Sequence, residues 1–377
     1  MNDKVDDISR RQLIEGALHL GAVTLGGSAL AACGSSSASA ASESESAGRS
    51  TAALDDASPY RVDVHCHHIP DFYRLSLAEH GIFTAGGIPL PAWSPELAVH
   101  FMDNYGIQVQ VVSISEPGVY YLQTAAERRA LARRINDDTT ETLIRSSNPT
   151  FAGRFGGFAV LPLGDLGSPS DAEYAAAEAQ RALTQLGMDG VGLYSNYHGV
   201  YLGDPRFGPL LRALNDLGAM VFLHPVTPPA VPNLPTSHLT FLYEFPFDTT
   251  RSVVSMLYAN VFEDYPNIRW LLAHAGGTIP FLAYRTSLLS PGNTNYSKLF
   301  YDTALSPAPS AMTSVRSVTD VSHILFATDW PFSAALFPSS GNPAPQLAET
   351  FDAQELRMVE RTNALAQFPR LAPQEKR

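Results

Sequence analysis

The sequence is poor in cysteine and in lysine, and both shortages exclude classes of protein. Only two cysteines, Cys33 and Cys66, occur in 377 residues, which excludes a disulfide scaffold and a thiolate zinc cluster. Lysine occurs only at positions 4, 298 and 376, and the formal net charge is −12. Such an acidic chain is not expected to bind nucleic acid, or to bind a membrane surface through a polybasic patch. Because 45% of the residues are hydrophobic and 10% aromatic, global disorder is also excluded, and we expect an acidic globular protein that acts on a small molecule.

The first 58 residues differ in composition from the remainder. Arg10 and Arg11 precede an apolar stretch, residues 16–32, that ends in Leu30-Ala31-Ala32-Cys33. This arrangement resembles a twin-arginine export signal followed by a lipoprotein cleavage box. We therefore predict a signal over residues 1–33, a disordered Ser/Ala-rich tether over 34–58 and a globular body over 59–377. The predicted protein is exported, periplasmic or lipid-anchored through Cys33 at the outer face of the cytoplasmic membrane; a cytoplasmic protein is the alternative.

From residue 60 onward, short apolar runs alternate with amphipathic stretches, as in chains that build parallel sheets covered by helices. The predicted strands are Arg61–His67, Gln108–Ser115, Arg154–Pro162, Gly190–Tyr194, Met220–His224, Arg269–His274, Lys298–Thr303 and His323–Thr328. The predicted helices are Ser94–Tyr105, Ala125–Arg145, Ser170–Leu186, Pro205–Leu217, Thr249–Asp264, Gly277–Leu289, Ala308–Val318 and Asp352–Ala366. Eight such units predict an α/β fold, a (β/α)8 TIM barrel. An open doubly wound sheet is less favoured, because no glycine-rich phosphate loop follows the first strand.

Histidine and aspartate stand at the carboxyl ends of four predicted strands, where a barrel gathers its chemistry. His65 and His67 share one face of the first strand, His224 and His274 end the fifth and sixth, and Asp329 ends the eighth. Taken singly, each histidine is more often a core residue and the aspartate a helix cap. Taken together, they predict a site for one divalent ion such as zinc, with His65, His67, His224 and Asp329 as ligands and His274 beside them. No lysine ends the fourth strand to bridge a second metal.

The residues around these positions resemble one family. Asp63-Val64-His65-Cys66-His67-His68, Phe222-Leu223-His224-Pro225 and Ala327-Thr328-Asp329-Trp330-Pro331-Phe332 are similar to the amidohydrolase-related, metal-dependent decarboxylases. That family includes aminocarboxymuconate semialdehyde decarboxylase. The stretches 153–162, 201–205 and 246–251 are most similar to its 6-methylsalicylate decarboxylase branch.

The resemblance implies the nonoxidative decarboxylation of a hydroxylated aromatic acid by an enzyme that holds one zinc or manganese ion. The metal is expected to bind the substrate carboxylate and the ortho-oxygen, while an acid protonates the ring carbon. Asp329 is the first candidate for that acid, with His274 assisting, and the reverse assignment stays open. The alternative activity is hydrolysis of a lactone, ester or amide by a metal-activated water.

Other residues are candidates for holding an aromatic carboxylate. Arg251 and Arg285 follow the fifth and sixth strands, where either could bind the substrate or serve a structural role. Aromatic side chains are expected to wall the site, namely Phe72, Tyr73, Trp93, Tyr194 and Trp330. The resemblance also implies a homodimer, since an arginine near the site can come from the partner subunit in related decarboxylases.

Overall fold

Eight parallel strands lie side by side in sequence order in the computed structural model, and each pairs with the next along the chain. The structure describes residues 60–164, 166–167, 170–229, 237–288, 295–337 and 341–372. The strands are β1 (Arg61–His67), β2 (Ile107–Ser113), β3 (Phe155–Val160), β4 (Gly190–Tyr194), β5 (Met220–His224), β6 (Arg269–Leu272), β7 (Phe300–Asp302) and β8 (Ile324–Leu325). The predicted bounds of β1, β4 and β5 are confirmed exactly, and the other strands are shorter than predicted.

The sheet closes because the chain after β8 bonds to β1. The backbone N–H of Val64 donates to the carbonyl of Phe326 at 3.1 Å, and that of His67 donates to the carbonyl of Trp330 at 2.7 Å. Between them, the N–H of Asp329 donates to the carbonyl of His65, also at 2.7 Å. The predicted barrel is therefore confirmed, and its closure sets Asp329 directly beside the histidines of β1.

Helices follow the strands and bury their apolar faces against the barrel. Those in the described part of the chain are α1 (Asp71–Glu79), α2 (Pro95–Asn104), α3 (Ala125–Asp138), α4 (Ser170–Arg181), α5 (Gly208–Asp216), α6 (Glu244–Tyr258), α7 (Val261–Asp264), α8 (Ile279–Ser287), α9 (Pro309–Arg316), α10 (Ala353–Arg357) and α11 (Asn363–Gln367). Thr124 caps the amino terminus of α3 and forms a capping box with Glu127, which explains why the helix begins at Ala125, as predicted. The sequence analysis did not predict α1.

Two short antiparallel ribbons extend the loops at the carboxyl ends of the strands. One pairs Thr84–Ala85 with Ile88–Pro89 after α1, and the other pairs Asn196–Tyr197 with Val200–Tyr201 after β4. The first is called the wall ribbon below, because it borders the cavity above the barrel.

The amino-terminal end of the barrel is covered by the end of the chain. The Phe368 ring packs edge-on against Phe158, which in turn stacks on Phe222 within the barrel. At the first residue of β1, the Arg61 guanidinium pairs with Glu360 at 2.9 Å. This end, called the floor below, is therefore filled by side chains of the described residues, and the cavity beside the strand ends lies at the opposite end.

The predicted signal (1–33), the tether (34–58) and Cys33 lie outside the described residues. None of the helices within the described ranges of residues 60–372 has the length and hydrophobicity needed to cross a bilayer.

Candidate metal centre

Five polar side chains converge at the carboxyl end of the barrel. His65, His224, His274 and Asp329 each offer a ligand atom within 4.8 Å of those of the others. His67 joins them, since its Nε2 atom lies 3.2 Å from His65 Nε2 and 3.0 Å from Asp329 Oδ1. All five residues are buried, and the exposed fraction of Asp329, the largest among them, is 7%. The strand-end residues predicted to meet are therefore brought together.

The imidazole rings are held by hydrogen bonds at their Nδ1 atoms. His65 Nδ1 lies 2.7 Å from Asp302 Oδ2, His67 Nδ1 lies 3.1 Å from Ser113 Oγ, and His224 Nδ1 lies 2.7 Å from the carbonyl of Pro225. A partner at one ring nitrogen fixes the orientation of the ring and leaves the other nitrogen for a metal. Three Nε2 atoms are thus available beside the Asp329 carboxylate, a donor set that fits one divalent ion.

Asp302, the last residue of β7, holds two parts of the site together. Its Oδ2 bonds His65, while its Oδ1 accepts the backbone N–H of His274 at 2.7 Å and that of Ala304 at 3.1 Å. The sequence analysis missed Asp302, although it lies at the end of a predicted strand like the residues that were found. That position is the signal that could have identified it.

The backbone is in the left-handed region where two of the five side chains are placed. The φ angle is 54° at His274, 57° at Ala275 and 60° at Asp329. Such angles are costly for residues other than glycine and cluster at functional sites, where the surrounding structure enforces them. Here the N–H bonds of His274 to Asp302 and of Asp329 to the His65 carbonyl hold the conformation.

The charges of the cluster balance one another. Burial opposes ionisation of Asp329, but its pKa is held well below the ordinary value because His65, His274 and His67 surround the carboxylate. Burial also opposes charging of His65, yet Asp302 and Asp329 raise its pKa to about 10. Burial lowers the pKa of His224 well below 6.5, and the neighbouring histidines lower it further. Neutral His224 and ionised Asp329 are the protonation states that a divalent ion requires of its ligands, whereas His65 would have to release a proton when the ion binds.

His274 differs from the other three histidines because its Nδ1 atom, the atom through which they are held, lacks a partner among the described residues. Its Nε2 lies 3.3 Å from Asp329 Oδ2, but its buried Nδ1 makes no hydrogen bond to any described residue. A buried polar atom without a partner is costly and usually marks a place where a ligand or water binds. His274 is therefore equipped to contact a bound molecule.

A narrow cavity opens beside the cluster. His224 and Asp329 border it together with Ser115 and Ser333, and the other lining residues are apolar, namely Ala85, Ile88, Phe241, Phe245, Leu305, Phe332 and Leu336. None of the lining residues that the structure describes is a lysine or an arginine. The cavity therefore has mostly apolar walls and a polar edge at the cluster, a pattern typical of small-molecule sites.

A family model for amidohydrolases matches residues 62–370. The chain belongs to the amidohydrolase family. It is 29% identical over 332 residues to 6-methylsalicylic acid decarboxylase of Penicillium expansum, a match that covers 82% of this chain and 97% of that protein. It is 31% identical over 342 residues to decarboxylase yanB of Aspergillus niger, covering 82% of this chain and 88% of that one.

The barrel also superimposes on a solved decarboxylase. The structure of 5-carboxyvanillate decarboxylase from Novosphingobium aromaticivorans, complexed with manganese and 4-hydroxy-3-methoxy-5-nitrobenzoic acid, matches with a TM-score of 0.66. The sequence identity is 20%, and the match covers 82% of this chain and 96% of that one. The predicted fold and the predicted family are thus both confirmed.

The aromatic residues predicted to wall this amidohydrolase site lie elsewhere. Trp330 follows Asp329 but turns outward and stacks on Phe101, with 5.1 Å between ring centroids. Phe72 packs against Arg134 in a surface groove. Tyr194 is buried behind the cavity, where its hydroxyl donates to the carbonyl of Ile114 at 2.9 Å. None of these three rings lines the cavity, because the direction of the strand or helix turns each of them away from it, so their predicted role in substrate binding stays a prediction.

Two further aromatic candidates also lie outside the cavity lining. The hydroxyl of Tyr73 donates to the carbonyl of Gly118 at 2.8 Å, and Trp93 packs edge-on against His68. The rings that do line the cavity, Phe241, Phe245 and Phe332, come from the segments after β5 and β8. Phe332 could have been identified from its place three residues after Asp329, whereas no sequence signal marked the other two.

Neither predicted arginine lines the cavity of its own chain. Arg251 lies on α6, where its Nη1 atom is 3.4 Å from Glu244 Oε2 and 3.8 Å from Asp248 Oδ1, and its side chain is 45% exposed. Arg285 is exposed on α8. Because neither side chain borders the cavity, their predicted role as substrate ligands within one chain is not supported by the geometry.

Proposed function

We propose that this protein is a metal-dependent nonoxidative decarboxylase, a carboxy-lyase, of a hydroxylated aromatic acid similar to 6-methylsalicylate. The observation that carries the proposal is the buried imidazole and carboxylate cluster at the edge of a cavity with otherwise mostly apolar walls. Decarboxylation removes a charged group from an otherwise apolar ring, so a polar edge and apolar walls match both the substrate and the product. The decarboxylase of P. expansum that the chain resembles supports this substrate class.

We propose His65, His67, His224 and Asp329 as the ligands of one divalent ion. Their free Nε2 atoms and the ionised carboxylate support this assignment. The bound ion would hold the substrate carboxylate and ortho-oxygen and neutralise the charge that develops on them. Zinc is our first candidate, and the manganese in the enzyme of N. aromaticivorans supports manganese as the other.

The protein side chains would supply the proton. The bond between the ring carbon and the carboxylate breaks, CO2 leaves, and the ring carbon takes one proton in its place. We assign this proton to Asp329, which borders the cavity, with His274 passing protons to it across the 3.3 Å between Nε2 and Oδ2. The unpartnered Nδ1 of His274 supports the reversed assignment, in which His274 itself donates to the ring.

The proposal is tested with the purified protein, stripped by a chelator and reloaded with zinc or manganese. We expect metal-dependent release of CO2 from 6-methylsalicylate, and one deuterium on the ring of the product when the reaction runs in heavy water. The same preparations are offered lactones, esters and amides. Release of acid from those compounds without CO2 from any hydroxybenzoate would establish hydrolysis instead.

We also propose that the protein forms a homodimer. Phe281 and Tyr284 lie three residues apart on α8, and Leu288 directly follows the helix; their exposed fractions are 82%, 78% and 64%. Apolar side chains grouped on one helix face favour burial against another molecule. Light scattering of the wild type and of the Phe281→Ser, Tyr284→Ser double variant tests this proposal, and a wild type that is monomeric at all concentrations contradicts it.

We propose export and lipid anchoring from the sequence of the first 33 residues. Mass spectrometry of the mature amino terminus should find a lipid on Cys33, and Cys33→Ser should move the protein from the membrane fraction to the soluble fraction. An unprocessed amino terminus in the cytoplasm contradicts this proposal.

A further inference from the structure

Glu116 is a buried carboxylate that the proposed reaction does not use. It lies three residues after β2, and its exposed fraction is 8%. Its Oε1 accepts the backbone N–H of Gly86 and, at 3.0 Å, the hydroxyl of Thr227. Its Oε2 accepts the backbone N–H of Thr227 at 2.6 Å. One side chain thus joins three loops, namely the wall ribbon and the loops after β2 and β5.

These three loops form one side of the cavity. Gly86 connects the two strands of the wall ribbon, and its neighbours Ala85 and Ile88 line the cavity. Ser115, which precedes Glu116, lines it as well. Thr227 lies three residues after His224, so the segment that carries a proposed metal ligand is fastened by the same carboxylate.

The wall ribbon in turn supports the aromatic wall. A Cβ atom on Gly86 would lie 2.9 Å from Phe241 Cβ and 2.9 Å from Phe245 Cζ, and the N–H of Phe241 donates to the carbonyl of Gly86 at 3.3 Å. Gly86 has a φ of 56°, a conformation that glycine adopts readily. The position of the ribbon therefore sets the position of two rings that border the cavity.

Burial of Glu116 is costly, because its three hydrogen-bond donors are uncharged. Burial raises the pKa of Glu116, the bonds to Thr227 and Gly86 lower it, and the nearby carboxylate of Asp248 raises it again. An uncharged side chain at this position would have a smaller free-energy cost of burial than the glutamate. The presence of a carboxylate therefore indicates that its bonds to both loops serve a purpose. The carboxylate is suited to that purpose, since its two oxygens can accept from several donors at once.

We propose that Glu116 is a positioning residue that holds the wall ribbon and the loop after β5 against the aromatic rings, and so sets the affinity of the cavity for the substrate ring. This role rests on the proposed function, because the ring belongs to the proposed substrate. Glu116 contacts neither the reacting atoms nor the metal ligands, so its removal should weaken binding more than it slows the chemistry.

The test compares Glu116→Gln with the wild type in the full-length, metal-loaded protein. The amide keeps the volume of the side chain but replaces one accepting oxygen with a donor, so a buried N–H of Gly86 or Thr227 loses its partner. We expect KM for 6-methylsalicylate to rise about tenfold while kcat changes less than about threefold. Hydrogen exchange should accelerate at residues 84–89 and 241–245, and the metal content should be unchanged.

Two variants accompany it. Glu79→Gln, which changes an exposed glutamate on α1, should alter none of these quantities. Gly86→Ala leaves Glu116 intact but displaces the ribbon from Phe241 and Phe245, and should raise KM in the same way.

Several outcomes would overturn the proposal. Unchanged exchange at residues 84–89 in Glu116→Gln would do so, as would loss of metal or a fall in kcat with KM constant. If the wild type releases no CO2, the proposed function fails, and the hydrogen exchange alone then decides whether Glu116 fastens the ribbon.

Discussion

Carboxylates at the two ends of the barrel have different hydrogen-bond partners. On the floor, Glu360 pairs with the Arg61 guanidinium at 2.9 Å. Asp189 accepts hydrogen bonds from Nε and Nη2 of Arg370, at 3.0 and 2.6 Å. At the opposite end, where the carboxyl ends of the strands surround the cavity and which is called the mouth here, Asp302 and Asp329 face imidazoles and backbone N–H groups. Carboxylates paired with arginine are neutralised within the chain, whereas Asp329 lies where it could share a metal ion with the imidazoles and Asp302 orients one of those rings.

The mouth also contains energetically costly features, namely left-handed backbone angles and a buried nitrogen without a partner among the described residues. His274, Ala275, Leu305 and Asp329 have φ angles between 52° and 60°, and all four lie at or just after strand ends. The Nδ1 atom of His274 is buried without a partner. Such costs are retained where they serve a function, so substitutions at the mouth should affect activity and those on the floor should affect stability.

The sharpest test of this contrast is the loss of a proposed ligand at the mouth. In His67→Ala the metal should be lost, and kcat/KM should fall at least about a thousandfold, because the ion orients the substrate and neutralises its charge. Metal analysis and CO2 release measure the two effects. His80→Ala, which changes an exposed histidine on the surface, is the matched control. Stoichiometric metal in His67→Ala would remove His67 from the ligand set.

A second test separates the two candidates for the proton donor. His274→Asn should retain the metal and lose kcat by about a hundredfold or more, within the range that a positioned acid contributes. Asp329→Asn should lose kcat to a similar or larger extent and also bind the metal more weakly. If His274→Asn loses its metal, then His274 is a ligand, in keeping with its place among the four side chains that lie within 4.8 Å of one another.

The polar cluster at the mouth could be predicted from the sequence, but the walls of the cavity could not. His65, His67, His224, His274 and Asp329 stand at strand ends, and strand ends of a barrel converge whatever the loops do. The walls are built by loops, whose paths depend on contacts between segments far apart in the chain. Glu116 meets Gly86 and Thr227, and Gly86 meets Phe241, and no local pattern records these contacts.

The same reasoning explains why predicted substrate residues do not line the cavity. Trp330 lies outside the lining because the residue after Asp329 points to the opposite side, where it joins Phe101 in the core outside the barrel. Helix α1 was not predicted, and it directs Phe72 toward Arg134 on α3. Side-chain direction at a strand end or in an unrecognised helix requires the backbone, which the sequence pattern does not supply.

On the floor, the opposite result is expected. Arg61→Ala leaves Glu360 buried without its guanidinium, and the free energy of unfolding should fall by about 3 kcal/mol, as for other nearly buried pairs. Urea denaturation measures this change. The metal content should stay the same, and kcat and KM should remain within about twofold of the wild type. A large loss of activity in a folded, metal-loaded Arg61→Ala variant would mean that the two ends of the barrel are coupled.

The smallest effect is expected for Arg285→Ala, and it tests whether the mouth is complete within one chain. Arg285 is exposed on α8, and the described cavity lining contains no cationic side chain, so KM for 6-methylsalicylate should change less than about twofold. Arg251→Ala, whose guanidinium is close to Glu244 and Asp248, serves as a comparison. A rise in KM for Arg285→Ala that disappears in the monomeric Phe281→Ser, Tyr284→Ser background would contradict this expectation. It would mean that α8 of one subunit completes the mouth of the other.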